Sequence, residues 1–273
     1  MLRSCSCYYS SSAVSAAATE AERTLREGPR NDWTRHQIDF IYHYPLLDLL
    51  FHGAQVHRHG HNFREVQQCT IPADMGMEVC CTLGMLEKQQ ALELKKAGLT
   101  AYNHNLDTSK EYYPNIITTR TYDERLETLQ HVREAGINVC SGGIIGLGEA
   151  EEDRVGLLHT LATLPTHPES VPINALVAVE GTPLQDQKPV EIWEMIWMIA
   201  TARIVMPTSM DSCQLGEFVS PCLSRHCVSL LLTTPNNDYD ADQDMFKILG
   251  LIPKPPSFPE EEATCDEAVS TSG

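Results

Sequence analysis

Apolar and polar positions alternate in two ways along the middle of this chain, and the two periods predict alternating strands and helices. Met77 to Leu83 (MEVCCTL) reads as a strand, and Glu87 to Ala97 reads as an amphipathic helix stopped by Gly98. Leu99 to Leu106 is the next strand, and Tyr122 to Ala135 the next helix, stopped by Gly136. Ile137 to Ile145 predicts a third strand leading into a helix over Glu151 to Leu164. Ser170 to Val179 predicts a fourth strand, with a further helix over Val190 to Ile204. Four strand–helix units at spacings of about 30 to 40 residues imply right-handed crossovers and a parallel sheet. An open two-layer α/β sheet and part of a (β/α) barrel both fit that pattern.

The polar content of the strands changes the picture. A strand buried on both faces is nearly all Val, Ile and Leu, yet the second strand carries Asn103, Asn105 and Asp107 at every second position. In an extended chain all three point to one face. Cys80, Cys140 and Asn174 occupy comparable places on the other strands. Buried amides and carboxylates cost several kcal/mol unless partnered, on the order of 2–7 kcal/mol for a neutral group. Their clustering therefore predicts a ligand site at the carboxyl ends of the strands. Gly142 to Glu149 (GGIIGLGE) matches neither common phosphate-loop pattern, although closely spaced glycines let a flat ligand approach the backbone. His57, His59 and His61 alternate and would share one side of an extended chain. A zinc or iron site there needs ligands on later strands, and His104 has the wrong parity, so a solvated basic loop is the expectation.

Composition narrows the function classes. Of 273 residues, 42% are hydrophobic and 21% charged, which suits a folded globular chain. The 37 acids against 20 basic residues give a formal charge of −17, which argues against nucleic acid as a partner. No apolar run is long enough to span a bilayer, and the best stretch, Ile192 to Met206, is broken by Glu194 and Arg203, so no membrane partner is expected. The ten cysteines contain no CxxC, which removes zinc ribbons and thioredoxin-type pairs. Met1 to Ala18 has an arginine, many serines and no acid, the composition of an organellar transit peptide. Pro253 to Gly273 is proline-rich and acidic, and reads as a solvated tail.

Several of these segments together resemble the biotin synthase family: Tyr102 to Ser109 (YNHNLDTS), Asn115 to Tyr122 (NIITTRTY), Val139 to Glu149 (VCSGGIIGLGE), Glu169 to Asn174 (ESVPIN) and Leu232 to Asn236 (LTTPN). Pro45 to Phe51 and Ala54 to His59 are similar to the family's N-terminal helices, in a form that looks plant and mitochondrial. The resemblance implies an incomplete (β/α) TIM-type barrel of parallel strands over residues 31–252, an N-terminal transit or disordered segment over 1–30, and a disordered acidic tail over 253–273. It implies S-adenosylmethionine, a 2Fe–2S cluster and a 4Fe–4S cluster as cofactors, dethiobiotin as substrate and a homodimer. In the family a reduced 4Fe–4S cluster cleaves S-adenosylmethionine to a 5′-deoxyadenosyl radical. The radical takes hydrogens from dethiobiotin, and the 2Fe–2S cluster supplies the sulfur of biotin. On the matching positions, Cys80 and Cys140 would ligate the 2Fe–2S cluster, with Cys81 on the opposite strand face. Asn105 and Asp107 would bind the ribose of S-adenosylmethionine, and Asn103 and Asn174 the ureido ring of dethiobiotin. Gly142, Gly146 and Glu149 belong to the family's GxIxGxxE element beside the adenosyl group.

The departures are equally specific. The family's CxxxCxxC loop, which ligates the 4Fe–4S cluster, is absent: Cys69 and Thr70 run at once into Ile71 to Gly76 and then the strand at Met77. After Ser209 the chain also leaves the family pattern, and the RLSAGR strand with its cluster-binding arginine is not found between about Met210 and Leu230. Cys213, Cys222 and Cys227 have a spacing unlike the usual cluster-binding runs. The expectation is an internally truncated, inactive family member, or else a non-catalytic partner of the intact enzyme.

Overall fold

The computed structural model describes residues 16–62, 64–66, 68–69, 79–214, 228–229, 244, 246–248 and 250–253. Three helices come first: α1 (Ala16–Glu27), α2 (Arg35–Tyr42) and α3 (Leu46–Gly60). The second starts on a capping box, in which the Thr34 hydroxyl accepts from the Gln37 amide at 3.3 Å and the Gln37 side chain accepts from the Thr34 amide at 3.0 Å. Helix α1 lies within the segment, 1–30, expected to be a transit peptide or disordered. Ala17 and Ala21 are buried, and the Thr24 hydroxyl donates to the Ile204 carbonyl at 3.2 Å. Small residues on one face of α1 let it seat against α3 and the long helix near residue 200.

The expected alternation then follows. Two short strands, β1 (Glu65–Val66) and β2 (Gln68–Cys69), precede β3 (Cys80–Cys81), α4 (Lys88–Lys96), β4 (Ala101–Asn103), the single-turn α5 (Tyr113–Ile116) and α6 (Tyr122–Glu134). Next come β5 (Asn138–Cys140), β6 (Gly143–Ile145), α7 (Glu151–Ala162), β7 (Ser170–Ala175), α8 (Ile192–Val205) and β8 (Met210–Gln214), and finally β9 (Val228–Ser229) and β10 (Ile252–Pro253). Helices α4 and α6 stop just before Gly98 and Gly136, both in the left-handed region, as the sequence predicts.

Every pairing in the main sheet is parallel: β3 lies against β4, β4 against β5, β5 and β6 both against β7, and β7 against β8. Two further parallel pairs, β1 with β10 and β2 with β9, stand apart from it, and the described strands do not close into a barrel. This is the predicted α/β architecture of parallel strands joined by helical crossovers.

Two local findings differ from the sequence reading. The single strand expected over Ile137 to Ile145 is broken at Ser141 and Gly142, because other backbone crowds in from both sides. A Cβ on Gly142 would collide with the Pro172 backbone, and one on Gly143 with Leu157 and the Asp107 carbonyl. A strand does follow Ser209, although its sequence is not RLSAGR. Met210 to Gln214 pairs with β7 over its whole length, from Ser170↔Met210 to Asn174↔Gln214. Backbone pairing does not require the family's side chains. It requires a turn that delivers the chain, and Ser209 supplies it: its hydroxyl donates to the Pro168 carbonyl at 2.7 Å, and its own carbonyl accepts from buried Arg203 at 2.7 Å. The strand Met77–Leu83 is described from Val79 onward; Met77, Glu78, Cys222, Cys227, Leu232 to Asn236 and the residues after Pro253 lie outside the described residues.

The core is continuous from α1 to α8 through the sheet, with Ile38, Leu49, Tyr102, Ile145, Leu158, Val171 and Ile199 all buried. No helix among the described residues is long and apolar enough to cross a membrane.

Candidate functional site

The carboxyl ends of β3, β4, β5 and β6 gather most of the residues singled out above. Asn103 is the register partner of Cys140, and its Oδ1 is buried with no hydrogen-bond partner. Cys140 is half-buried on β5, while Cys80 on β3 is exposed. Their thiols meet across β4: a hydrogen bond from Cys80 holds the Cys140 thiol below its ordinary pKa, assisted by Ser170 and opposed by burial. Cys81 packs on the core side, as alternation demands.

Beyond β4 the chain stays extended, with the His104 amide on the Cys140 carbonyl at 2.9 Å. Asn105 Oδ1 then accepts from the Gly142 amide at 3.1 Å, which ties the two expected cofactor-binding segments together. The amides of Leu106 and Asp107 both donate to the Gly142 carbonyl, and the Asp107 carbonyl accepts from Ile144 at 2.8 Å. Strict alternation ends here, since Asp107 has φ 68° and its carboxylate meets Arg125 of α6 at 3.1 Å. Burial raises the Asp107 pKa, and the Arg125 charge pulls it back.

Gly146 has φ 91°, and its amide donates to both carboxylate oxygens of Glu149, at 2.9 and 3.1 Å. Glu149 is also the ion-pair partner of Arg154, at 2.7 Å, with its side chain only 1% exposed. The carboxylate expected beside a nucleoside is thus consumed inside the protein, and Glu149 shapes the glycine loop rather than presenting its own oxygens. Asn174 sits half-buried on β7 opposite Ile144 and shares no hydrogen bond with the other site residues among those described.

The three alternating histidines are corrected. His57 and His59 lie in α3 and His61 caps it, so two-residue spacing separates their directions. His57 is 3% exposed with its ring 5.2 Å from that of His61, and His59 faces solvent. Among the described residues no three Cys, His, Asp or Glu side chains converge as a metal site. The meeting of Cys80 and Cys140 offers a pair of thiolates of the kind that ligate iron–sulfur clusters. The unpartnered Asn103 oxygen fits a polar ligand.

Sequence reasoning missed Arg125 and Arg154. An arginine on an amphipathic helix is ordinarily solvated, and the contacts that bury these two come from distant segments, so no local signal marks them.

His104 carries a measurable consequence. It is 4% exposed, and burial, with the Arg125 charge beside it, lowers its pKa to about 4. The unfolded chain takes up this proton near 6.5 and the folded chain near 4, so stability present above pH 6.5 is lost progressively as the pH falls to about 4. Denaturation midpoints across that window in wild type and His104→Gln check it: the wild-type decline is the steeper of the two.

The radical SAM superfamily matches residues 5–161, and the Biotin and Thiamin Synthesis associated domain matches residues 172–252. The mitochondrial biotin synthase of Arabidopsis thaliana is 56% identical over 361 aligned residues, covering 99% of this chain and 95% of that protein. The biotin synthase of Cytophaga hutchinsonii is 44% identical over 311 residues, covering 82% of this chain and 92% of its own. Methylornithine synthase shares the fold with a TM-score of 0.66 at 14% identity, covering 86% of this chain and 97% of that one. The FeFe-hydrogenase maturase HydG from Carboxydothermus hydrogenoformans does so with 0.68 at 11% identity, covering 86% and 79%. With those two domain matches and a relative aligned along nearly its full length, the chain belongs to the biotin synthase family of radical S-adenosylmethionine enzymes.

Proposed function

We propose that this chain keeps the nucleoside and substrate cradle of a biotin synthase while lacking the part that generates the radical. The observation that carries the reading is the junction of Asn105 with Gly142, which joins the two segments assigned to S-adenosylmethionine beside the paired thiols of Cys80 and Cys140. Bound S-adenosylmethionine supplies the family's adenosyl group. Asn105 and Asp107 hold its ribose hydroxyls, Gly142 and Gly146, packed against Pro172 and Val190, form the backbone beside the adenosyl group, and Glu149 with Arg154 keeps that loop in place. Asn103 and Asn174 take the ureido group of dethiobiotin, whose carbonyl and two N–H groups match a carboxamide's donors and acceptor. Cys80 and Cys140 supply two thiolates of the 2Fe–2S site.

The sequence offers no CxxxCxxC set for the 4Fe–4S cluster. Supporting an internal truncation, the alignment to the Arabidopsis relative runs over 361 residues although this chain has 273. The name of that relative and the acid-poor stretch from Met1 to Ala18 support a mitochondrial location. A second reading, a non-catalytic partner pairing with intact enzyme in place of a second active subunit, is favoured by the outward-facing Phe40, Leu47 and Phe51 on α2 and α3, exposed by 53%, 81% and 60%. Co-expression with tagged full-length enzyme tests it: mixed dimers support this reading, and purely homomeric enzyme removes it.

Calorimetric titration of the full chain tests the main reading. Both 5′-deoxyadenosine and dethiobiotin bind. Asp107→Ala weakens the nucleoside by about tenfold or more, the worth of a charge-assisted hydrogen bond, and Asn103→Ala weakens dethiobiotin alone. Failure of both ligands to bind would overturn it.

A further inference from the structure

Helix α1 comes first in the chain, yet it is built into the core. Ala17, Ala21 and Thr24 are buried, and Leu25 packs against the same cluster. Positions i, i+4 and i+7 share one helix face, and on α1 that face is the one seated against α3 and α8. Gly28, at φ 81°, ends the helix, its amide donating to the Thr24 carbonyl at 2.9 Å.

The seat on α8 is specific. A helix leaves its last carbonyls without partners inside the helix. Here the Thr24 hydroxyl donates to the Ile204 carbonyl at 3.2 Å, and the Trp33 indole, just after α1, donates to the Val205 carbonyl at 3.1 Å. Arg30 locks the connecting segment. Its guanidinium lies 3.7 Å over the Trp33 ring and pairs with Glu20 of α1 at 3.0 Å, the two charged side chains being 15% and 16% exposed. Asn31 adds a hydrogen bond to the Pro165 carbonyl at 3.2 Å. Together α1 and this segment close the end of α8, from which the chain turns through Ser209 into β8.

Charge divides the chain at the same place. Arg3 is the only charged residue before Glu20, whereas α1 carries Glu20, Glu22 and Glu27 against Arg23 and Arg26. Transit peptides are poor in acids, so α1 has the wrong composition for one. It also has the wrong conformation for removal, because a packed helix must open before a protease can take its backbone.

We propose that a presequence is cut off on the N-terminal side of Ala16, and that α1 stays in the mature protein as the cap on α8. The proposal rests on the mitochondrial location proposed above. The step is hydrolysis of one peptide bond by a processing protease of the organelle: water gives its hydroxyl to the carbonyl carbon and its proton to the amide nitrogen.

The test imports the full chain into energised plant mitochondria and reads the amino terminus of the protease-protected product by amine labelling and mass spectrometry. The expected product begins after Met1 and no later than Ala16. A terminus beyond Ala16 overturns the proposal, as does an imported chain that still begins at Met1, and in both cases the location stands. A chain that never becomes protected removes the location itself, and the proposal with it. The cap has its own readout, since trypsin reaches Arg23 and Arg26 when α1 leaves its seat. In the full chain Thr24→Val, which removes the donor to Ile204 and keeps the side-chain shape, speeds those two cuts by about threefold or more. Equal rates in the two proteins overturn the capping role.

Discussion

Replacing Arg154 by methionine lowers the stability of the fold by about 3–5 kcal/mol, the cost of stranding one member of a buried ion pair. Arg154 sits in the first turn of α7 with its side chain 8% exposed, and it bonds Glu149 at 2.7 Å and Glu194 at 2.8 Å. Glu194 is 34% exposed and can turn to water. Glu149 cannot: at 1% exposure it would keep only the Gly146 amide as a partner. The same deletion frees the loop from Gly146 to Gly148, so the proposed nucleoside site loosens with the fold. For a chain of this size the thermal midpoint drops by roughly 6–20 °C. The double variant Arg154→Met, Glu149→Gln recovers part of the loss, because a neutral amide is less costly to bury than a carboxylate. Chemical denaturation of the three proteins measures both effects, and a loss below about 1 kcal/mol in the single variant would show the pair to be solvated.

Incubated anaerobically with iron, sulfide, a low-potential reductant, S-adenosylmethionine and dethiobiotin, the chain forms no 5′-deoxyadenosine and no biotin above the protein-free control. Reductive cleavage of a sulfonium needs an electron delivered at the bound cofactor, and the family supplies it from a cluster held by three closely spaced cysteines. Here Cys69 closes β2 and is followed by Thr70, not by a cysteine loop. Cys80 and Cys140 meet each other, and no third ligand joins them among the described residues. The full-length Arabidopsis relative, assayed alongside by mass spectrometry, is the positive control; turnover by this chain at a comparable rate would remove the proposed defect.

Most of the fold was legible because helix stops and strand periods are local. Gly98 and Gly136 end α4 and α6, and the four crossovers follow from strand and helix order. The polar face at Asn103, Asn105 and Cys140 was legible too, since an amide in a buried strand stands out from its neighbours. Errors arose where the local rule met a distant contact. The histidines near residue 57 alternate as in a strand, yet Leu46 to Gly60 is helical, anchored on α1 and α8. Ile137 to Ile145 reads as one strand, and only the approach of Pro172 and Asp107 breaks it. Met210 to Gln214 looked foreign to the family, but parallel pairing asks little of side chains once Ser209 sets the turn. Arg125 and Glu149 show the same limit in the site: their roles are set by partners that no spacing pattern connects.

The reduced, reconstituted protein should be examined by electron paramagnetic resonance with and without S-adenosylmethionine. The proposed loss of the CxxxCxxC loop predicts no signal from a reduced four-iron cluster and no change on adding the cofactor. A four-iron signal that shifts when S-adenosylmethionine binds would mean that the radical-generating centre is present after all.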